Sequence, residues 1–454
     1  MHIFEKNHVT FPAWSIVRYS IVRVKSLNCK QSPLKGHLIK KIILMVGIIA
    51  VLGVATSPIV LSSPTYAQNI PSRYIIVFND VDEPRAVANE MASEHGLSVI
   101  HVYKYALKGF NAIIPNVKLD QVKNDPRVSY VEKDQKVFAF DKPPHSHSTD
   151  SDSVQSSLQV IPTGVERINA DLSSTEAGNG SGIVDVDIAI IDTGLDTKHP
   201  DLNVYKHARC TGTGPNKDQN GHGTHVAGTA AALDNEEGVV GVAPGARLWG
   251  VKVLDATGSG TLGCVIAGID YVTSHAAEIE VANMSLGFRG TSTALDEAIK
   301  TSVAAGVVYV VAAGNSAEDA VAFSPANHPD VITVSAIADF NGQPGGSAQS
   351  TCLNEIDDTF AYFSNFGDLI ELAAPGVCIY STWLNGGYNT ISGTSMSSPH
   401  VAGAAALYIA NNPNALPVDV LNALIAAGTP QDDPDGFTED TDGYPEQLLN
   451  TETL

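Results

Sequence analysis

Two hydrophobic patterns alternate along the later two-thirds of the chain. Short unbroken apolar runs at 187–191, 248–253, 281–284, 307–312 and 331–336 lack in–out alternation, so they predict strands covered on both faces. Apolar residues recur every three or four positions at 261–275, 293–305, 395–410 and 417–427, the spacing that gives a helix one apolar stripe. Buried strands alternating with amphipathic helices predict an α/β domain over 158–454, a three-layer αβα arrangement with a parallel central sheet. Functional groups should then gather at the carboxyl ends of the strands.

A smaller unit precedes this domain. Strand patterns at 74–78, 99–103, 110–114 and 128–132 and helical patterns at 84–95 and 117–124 follow the split βαβ order, predicting a small α+β ferredoxin-like domain over 68–140. Residues 141–157 are rich in Ser and Asp, contain Pro143 and Pro144, and hold too little apolar content to pack, so they form an exposed linker. Near the N-terminus, Lys40 and Lys41 precede the apolar run 42–55, and small residues continue to Thr65-Tyr66-Ala67. That is the pattern of a secretory signal over 1–67. The run is shorter than the ~20 residues of a membrane-spanning helix, although Ile59 to Leu61 extend the apolar core to 42–61 and leave an uncleaved anchor open.

Charge and cysteine content narrow the setting. The net charge is −22 over 454 residues, but 141–454 alone carry 10 basic and 39 acidic residues, and no Lys or Arg follows Lys300. Such a surface repels phosphate backbones and anionic headgroups, which excludes nucleic acid as a partner and suits solubility, calcium or cationic substrates. Cys29 lies in the signal segment, leaving Cys210, Cys264, Cys352 and Cys378 in the exported part. Of three possible connectivities in an oxidising compartment, Cys210–Cys264 and Cys352–Cys378 is the one expected.

Four strings carry chemistry. Asp192 ends an apolar strand and is followed by Thr193-Gly194; the same string marks aspartic proteases, which need two such carboxylates, and only one copy occurs. Gly221-His222-Gly223-Thr224-His225 opens a run of small residues, and its two histidines are compatible with a base or with a metal, although no Glu stands between them as in a zincin. Gly393-Thr394-Ser395-Met396-Ser397-Ser398-Pro399 leads into an apolar helix. Its serine either caps that helix or sits beside unpaired N–H groups that can stabilise an oxyanion. Asn315 follows the strand 307–312, where its amide can donate to a developing negative oxygen.

Together these strings resemble the subtilisin-like (subtilase) family, proteinase K-like members included, over nearly all of 160–450. The Asp, His, Ser chain order is that of subtilisin rather than of α/β-hydrolases or chymotrypsin-like enzymes. The resemblance implies a secreted serine endopeptidase in which Ser395 is the nucleophile, His222 its general base, Asp192 the orienting carboxylate, and Asn315 with the Ser395 N–H the oxyanion hole. It implies that a peptide substrate lies as an added strand between Gly258-Ser259-Gly260 and Ser285-Leu286-Gly287. It places the specificity pocket between Ser285 to Gly287 and Ala312-Ala313-Gly314, with Phe323 at its base, giving broad cleavage with an apolar preference. It carries over a structural Ca²⁺ site from side-chain oxygens of Gln159, Asp201 and Asn235 and backbone carbonyls of Leu233, Glu237 and Val239. Finally it makes 68–140 an inhibitory propeptide of a monomeric zymogen, with Phe140 in the specificity pocket and self-cleavage after Phe140 or within the linker.

The chain departs from a minimal member in the linker, an insertion near 342–358 and an acidic segment near 431–446, both expected to be solvated loops, with weak calcium binding as the other possibility. Ser397 stands where alanine is common, and its hydroxyl is expected to bond to the helix backbone. The contrasting class is a secreted binding protein that keeps the scaffold without activity.

Overall fold

A computed structural model describes residues 69–140, 159–211, 217–440 and 442–454. The signal segment and the linker lie outside the described residues. Among those described, no helix is long and apolar enough to cross a membrane.

The N-terminal domain runs β1 (Asn69–Phe78), α1 (Pro84–His95), β2 (Ser98–Tyr103), β3 (Gly109–Ile113), α2 (Leu119–Lys123) and β4 (Val128–Ala139). Its antiparallel sheet has the order β4-β1-β3-β2, as expected of a ferredoxin-like fold. Pro84 starts α1, where a missing N–H costs nothing, and Gly96 stops it with φ of 67°. Ala88 and Met91 on α1 pack against Ile76, Phe78, Phe110 and Val122, so the 3.6-residue stripe meets the inward face of the sheet. One expectation is corrected. β4 does not stop at Glu132 but continues to Ala139, because its second half pairs with strands of the following domain.

That domain contains α3 (Thr163–Arg167), β5 (Asp187–Asp192), β6 (Val204–Arg209), α4 (His222–Ala231), β7 (Arg247–Lys252), β8 (Ser259–Thr261), α5 (Leu262–Thr273), β9 (Val281–Met284), β10 (Leu286–Arg289), α6 (Thr293–Ala304) and β11 (Val308–Ala312). Then follow β12 (Phe323–Ser324), β13 (Ile332–Ala338), β14 (Thr359–Phe360), β15 (Leu372–Pro375), the hairpin of β16 (Ile379–Trp383) and β17 (Gly387–Ile391), α7 (Thr394–Asn411), α8 (Pro417–Ala427) and β18 (Gln447–Leu448). The main sheet has the order β18-β15-β13-β11-β9-β5-β7-β6, and its successive pairings are parallel. Along β5, Ile188 and Ile190 join the core under α4 and α7, whereas Ala189 and Ile191 join the core under α5 and α6. Both faces of the strand are therefore dry, which is why its sequence shows no alternation.

Both disulfides, Cys210–Cys264 and Cys352–Cys378, are formed as expected. The insertion is not a solvated loop throughout. Asp357 and Asp358 are buried: Asp357 accepts the N–H groups of Phe340 and Ala348, while Asp358 pairs with the buried Arg167 at 2.7 Å. Arg167 also donates to the carbonyls of Asp435 and Gly436, so one guanidinium ties α3 to the insertion and to the C-terminal segment. Asp432, Asp433 and Asp435 are exposed, whereas Glu446 is buried against Ser335.

Candidate active site

The functional side chains stand at the carboxyl edge of the sheet. Asp192 ends β5 fully buried, and its carboxylate accepts the N–H of Thr193 at 2.6 Å. His222 is the first residue of α4, with Nδ1 2.8 and 3.0 Å from the two Asp192 oxygens. Two sequence features produce this approach. Asp218 caps the helix, accepting from Gly221 N at 3.0 Å and from Thr224 N and Oγ1 at 3.1 and 2.7 Å. A side chain at position 223 would bring a Cβ within 2.3 Å of the Gly194 carbonyl, so only glycine lets α4 lie this close to the Asp192 turn.

His225, the second histidine of the string, plays a different part. Its Nε2 lies 3.0 and 3.1 Å from the carbonyls of Ile379 and Asn389, and burial holds its pKa down at about 3, so it anchors the hairpin as a neutral ring. Among the described residues, neither grouping of potential metal ligands includes His222 or His225.

Ser395 lies at the N-terminus of α7, fully buried, its Oγ 2.7 Å from the Phe140 carbonyl oxygen and 3.1 Å from that of Ser285. The same Phe140 oxygen receives Asn315 Nδ2 at 2.6 Å. Thr394 aims that amide, because its N–H and hydroxyl both bond to Asn315 Oδ1 at 2.9 Å and leave Nδ2 pointing into the cleft. Ser285 holds the helix end from below, donating to the Ser395 carbonyl at 2.9 Å, with its Oγ 2.8 Å from Ser398 Oγ. The hydroxyl of Ser397 is buried with no hydrogen-bond partner among the described residues, which corrects the expected bond to the helix backbone. It faces the Gly376 backbone too closely to admit a Cβ there.

The cleft is occupied by the protein's own β4. Val137 and Phe138 pair with Gly260 and Ser259 on β8, Phe138 and Ala139 pair with Gly287 and Leu286 on β10, and Ala139 N donates to the Gly258 carbonyl at 2.9 Å. Phe140 packs against Ala312, Ala320, Phe323 and Ala326, and a Cβ at Gly287 would lie 2.6 Å from its ring. Ala313 and Gly314 form the adjoining wall, fixed by Asn365 Nδ2 on the Ala313 carbonyl at 2.8 Å and by Gly314 N on Thr394 Oγ1 at 3.1 Å. Ala320 and Ala326 were not foreseen; small residues in a loop carry no pattern. One cation flanks the pocket. Arg289 stacks over the Phe323 ring and is ion-paired with Glu318.

Carboxylates dock the N-terminal domain. Glu132 accepts from Ala294 N at 3.0 Å and Asp134 from Gly263 N at 2.9 Å, each in the first turn of a helix of the larger domain, where N–H groups lack intrahelical partners. Reciprocally, one oxygen of Asp270 accepts the N–H groups of Lys104, Tyr105 and Ala106.

Four of the expected calcium ligands, Gln159, Asp201, Leu233 and Val239, lie together. Gln159 Nε2 lies 2.8 and 3.5 Å from the Leu233 and Val239 carbonyls. Asp201, which has no cationic partner among the described residues, accepts from Val239 N, Tyr388 OH and Asn235 Nδ2 at 2.9 to 3.2 Å. Burial raises its pKa to about 6. Asn235 and Glu237 lie on the exposed rim, with Asn235 Oδ1 accepting from Glu237 N. The Leu233 and Val239 carbonyls and the Asp201 carboxylate are oxygen donors that suit a hard cation, and Gln159 would join them with its oxygen once its amide turned over on binding.

An αβα sheet with an Asp–His pair, a helix-terminal serine and an inserted peptide strand has the architecture of a serine endopeptidase held by its own N-terminal domain. The comparisons agree. The subtilase family matches residues 184–444, and the peptidase inhibitor I9 family matches residues 73–139. The chain is 36% identical to Subtilisin NAT of Bacillus subtilis subsp. natto over 364 residues, 79% of this chain and 85% of that one. It is 38% identical to the extracellular serine proteinase of Thermus sp. (strain Rt41A) over 392 residues, 80% of this chain and 86% of that one. A cold-adapted subtilisin-like serine proteinase of known structure superposes with a TM-score of 0.52 at 36% identity, covering 64% of this chain and 97% of the other. This chain belongs to the subtilase family: it is a serine endopeptidase with an I9 inhibitor domain.

Proposed function

We propose that Ser395 attacks the peptide carbonyl, that His222 takes its proton, and that Asp192 fixes the imidazole tautomer and stabilises the imidazolium. Asn315 Nδ2, joined by the Ser395 N–H as the carbonyl carbon becomes tetrahedral, receives the oxyanion. The carrying observation is the Phe140 carbonyl, held between Ser395 Oγ and Asn315 Nδ2 with its side chain in an apolar pocket. Self-cleavage after Phe140 or within the linker is the first reaction, and 68–140 is the propeptide, 141–157 the linker and 158–454 the peptidase domain.

Strand pairing at Gly258 to Gly260 and Ser285 to Gly287 recognises backbone, which supports broad specificity. The small apolar pocket supports a preference for apolar side chains, since the nearby Arg289 is already committed to Glu318. Residues 1–67 export the chain, which acts outside the cell as a monomer on protein substrates. Ca²⁺, when bound by Gln159, Asp201, Leu233, Asn235, Glu237 and Val239, supplies a structural cross-link and no step of the chemistry.

Purified Ser395→Ala precursor tests the reading. It should stay full length and resist fluorophosphonate labelling, while wild type trims itself after Phe140 or within the linker and reacts. Equal trimming by the two proteins would defeat it.

A further inference from the structure

Lys252 closes β7 in register with Asp192 at the end of β5 and is 3% exposed. Its ammonium donates to the carbonyl of Leu254 at 3.0 Å and to that of Thr193. Among the described residues no carboxylate lies within ion-pair distance of it. Burying an ammonium whose direct partners are two carbonyls, with carboxylates only at longer range, carries a desolvation cost. Packing therefore does not explain a lysine here.

The residues it grips are informative. Thr193 donates its N–H to the Asp192 carboxylate and accepts the N–H of Gly223, next to His222, on its hydroxyl at 2.9 Å. Val253 and Leu254 donate their N–H groups to the Asp192 carbonyl at 2.8 and 3.1 Å. The ammonium thus joins the two chain segments that leave the sheet around Asp192, and Thr193 bonds to Asp192 and to the residue that follows His222.

We propose that Lys252 is a positioning residue for the Asp192–His222 pair, which locks the Thr193 and Leu254 carbonyls and places a fixed positive charge beneath the carboxylate. The proposal rests on the triad reading above. The charged groups facing the ammonium are Asp192, Asp218 and Asp255. His207, held at about 4 by burial and then by the Lys252 charge, and His225 beside His222, held at about 3 by burial, are neutral in the working range of the wild type. Removing the ammonium should therefore make the His222 imidazolium easier to form.

The test compares Lys252→Met and Lys252→Arg in the mature enzyme. For the Met variant kcat should fall by about 10²-fold with little change in KM, as for small misplacements of catalytic groups. The acid limb of its kcat–pH profile should move up by roughly half a pH unit. The Arg variant, which keeps the charge, should retain the wild-type limb. Where mature Lys252→Met does not accumulate, the variant is read in the uncleaved Ser395→Ala precursor, by the downfield proton resonance of His222 Nδ1–H, which should move. An acid limb at the wild-type position, or in the precursor an unmoved resonance, overturns the proposal whatever the loss of Tm. Asp192→Asn in the same assay separates the two readings: if it keeps wild-type kcat, the triad assignment fails rather than the role of Lys252.

Discussion

The carboxamide nitrogen of Asn315 lies 2.6 Å from the carbonyl oxygen of Phe140. Because Thr394 occupies the other end of that amide, the donor is fixed before charge develops and needs no reorganisation. Asn315→Ala should lower kcat by about 10²- to 10³-fold, the scale found for removing an oxyanion donor in subtilisin itself, with KM nearly unchanged. Steady-state kinetics on a peptide with Phe before the scissile bond checks this.

Gly287 gauges the specificity pocket. A Cβ there would lie 2.5 Å from the Ser324 carbonyl and 2.6 Å from the Phe140 ring, so Gly287→Ala should lower Tm through the first contact and shift the preferred residue from Phe to Ala through the second. The ratio of kcat/KM for the two peptides is expected to change by about a hundredfold. Self-trimming after Phe140 should slow as well, read as precursor persistence on a gel.

Calcium should load before processing. Gln159 already sits on the Leu233 and Val239 carbonyls while Phe140 occupies the active site, and the 18 intervening residues can span ~60 Å, more than the width of the domain. Calorimetry should therefore give similar affinities for Ser395→Ala precursor and mature enzyme. Excess chelator should lower the Tm of both, by roughly 5–10 °C if calcium had been present at 100 times Kd. Asp201→Ala should abolish the difference.

Glu446 gives stability a pH slope. Burial and neighbouring Asp440 push its pKa up to about 8, against an ordinary value of ~4.3. The unfolded chain ionises it first, so the stability it contributes is full below pH ~4.3 and is lost as pH rises through about 8. Glu446→Gln in the Ser395→Ala background should flatten that fall. Tm should be higher than in the parent above pH 8 and no higher near pH 4, with about 2–4 °C gained per kcal/mol.

Legibility followed burial. α1 and α8 have the bounds their spacing predicted, and β5, β7, β9, β11 and β13 lie within about two residues of the apolar runs, because a strand dry on both faces advertises itself. β6, Val204–Arg209, was missed: it is an edge strand of mixed polar and apolar residues, none of them buried, and nothing in VYKHAR demands a sheet. The extension of β4 was missed for a related reason, since its partners are more than a hundred residues away. Local patterning reports which faces are dry and not which neighbour dries them.

The sequence alone determined the order of chemical groups, the class of fold and the separation of an inhibitor domain from a peptidase domain, because motif identity and hydrophobic period are local properties of the chain. Only the tertiary structure decided that Asp218, Thr193 and Thr394 aim the active side chains, that Asp358 serves Arg167 and Asp357 the backbone of Phe340 and Ala348 rather than solvent, and that Glu132 and Asp134 cap foreign helices. Those roles depend on which hydrogen-bonding groups meet after burial, and pairing across such distances leaves no periodic trace.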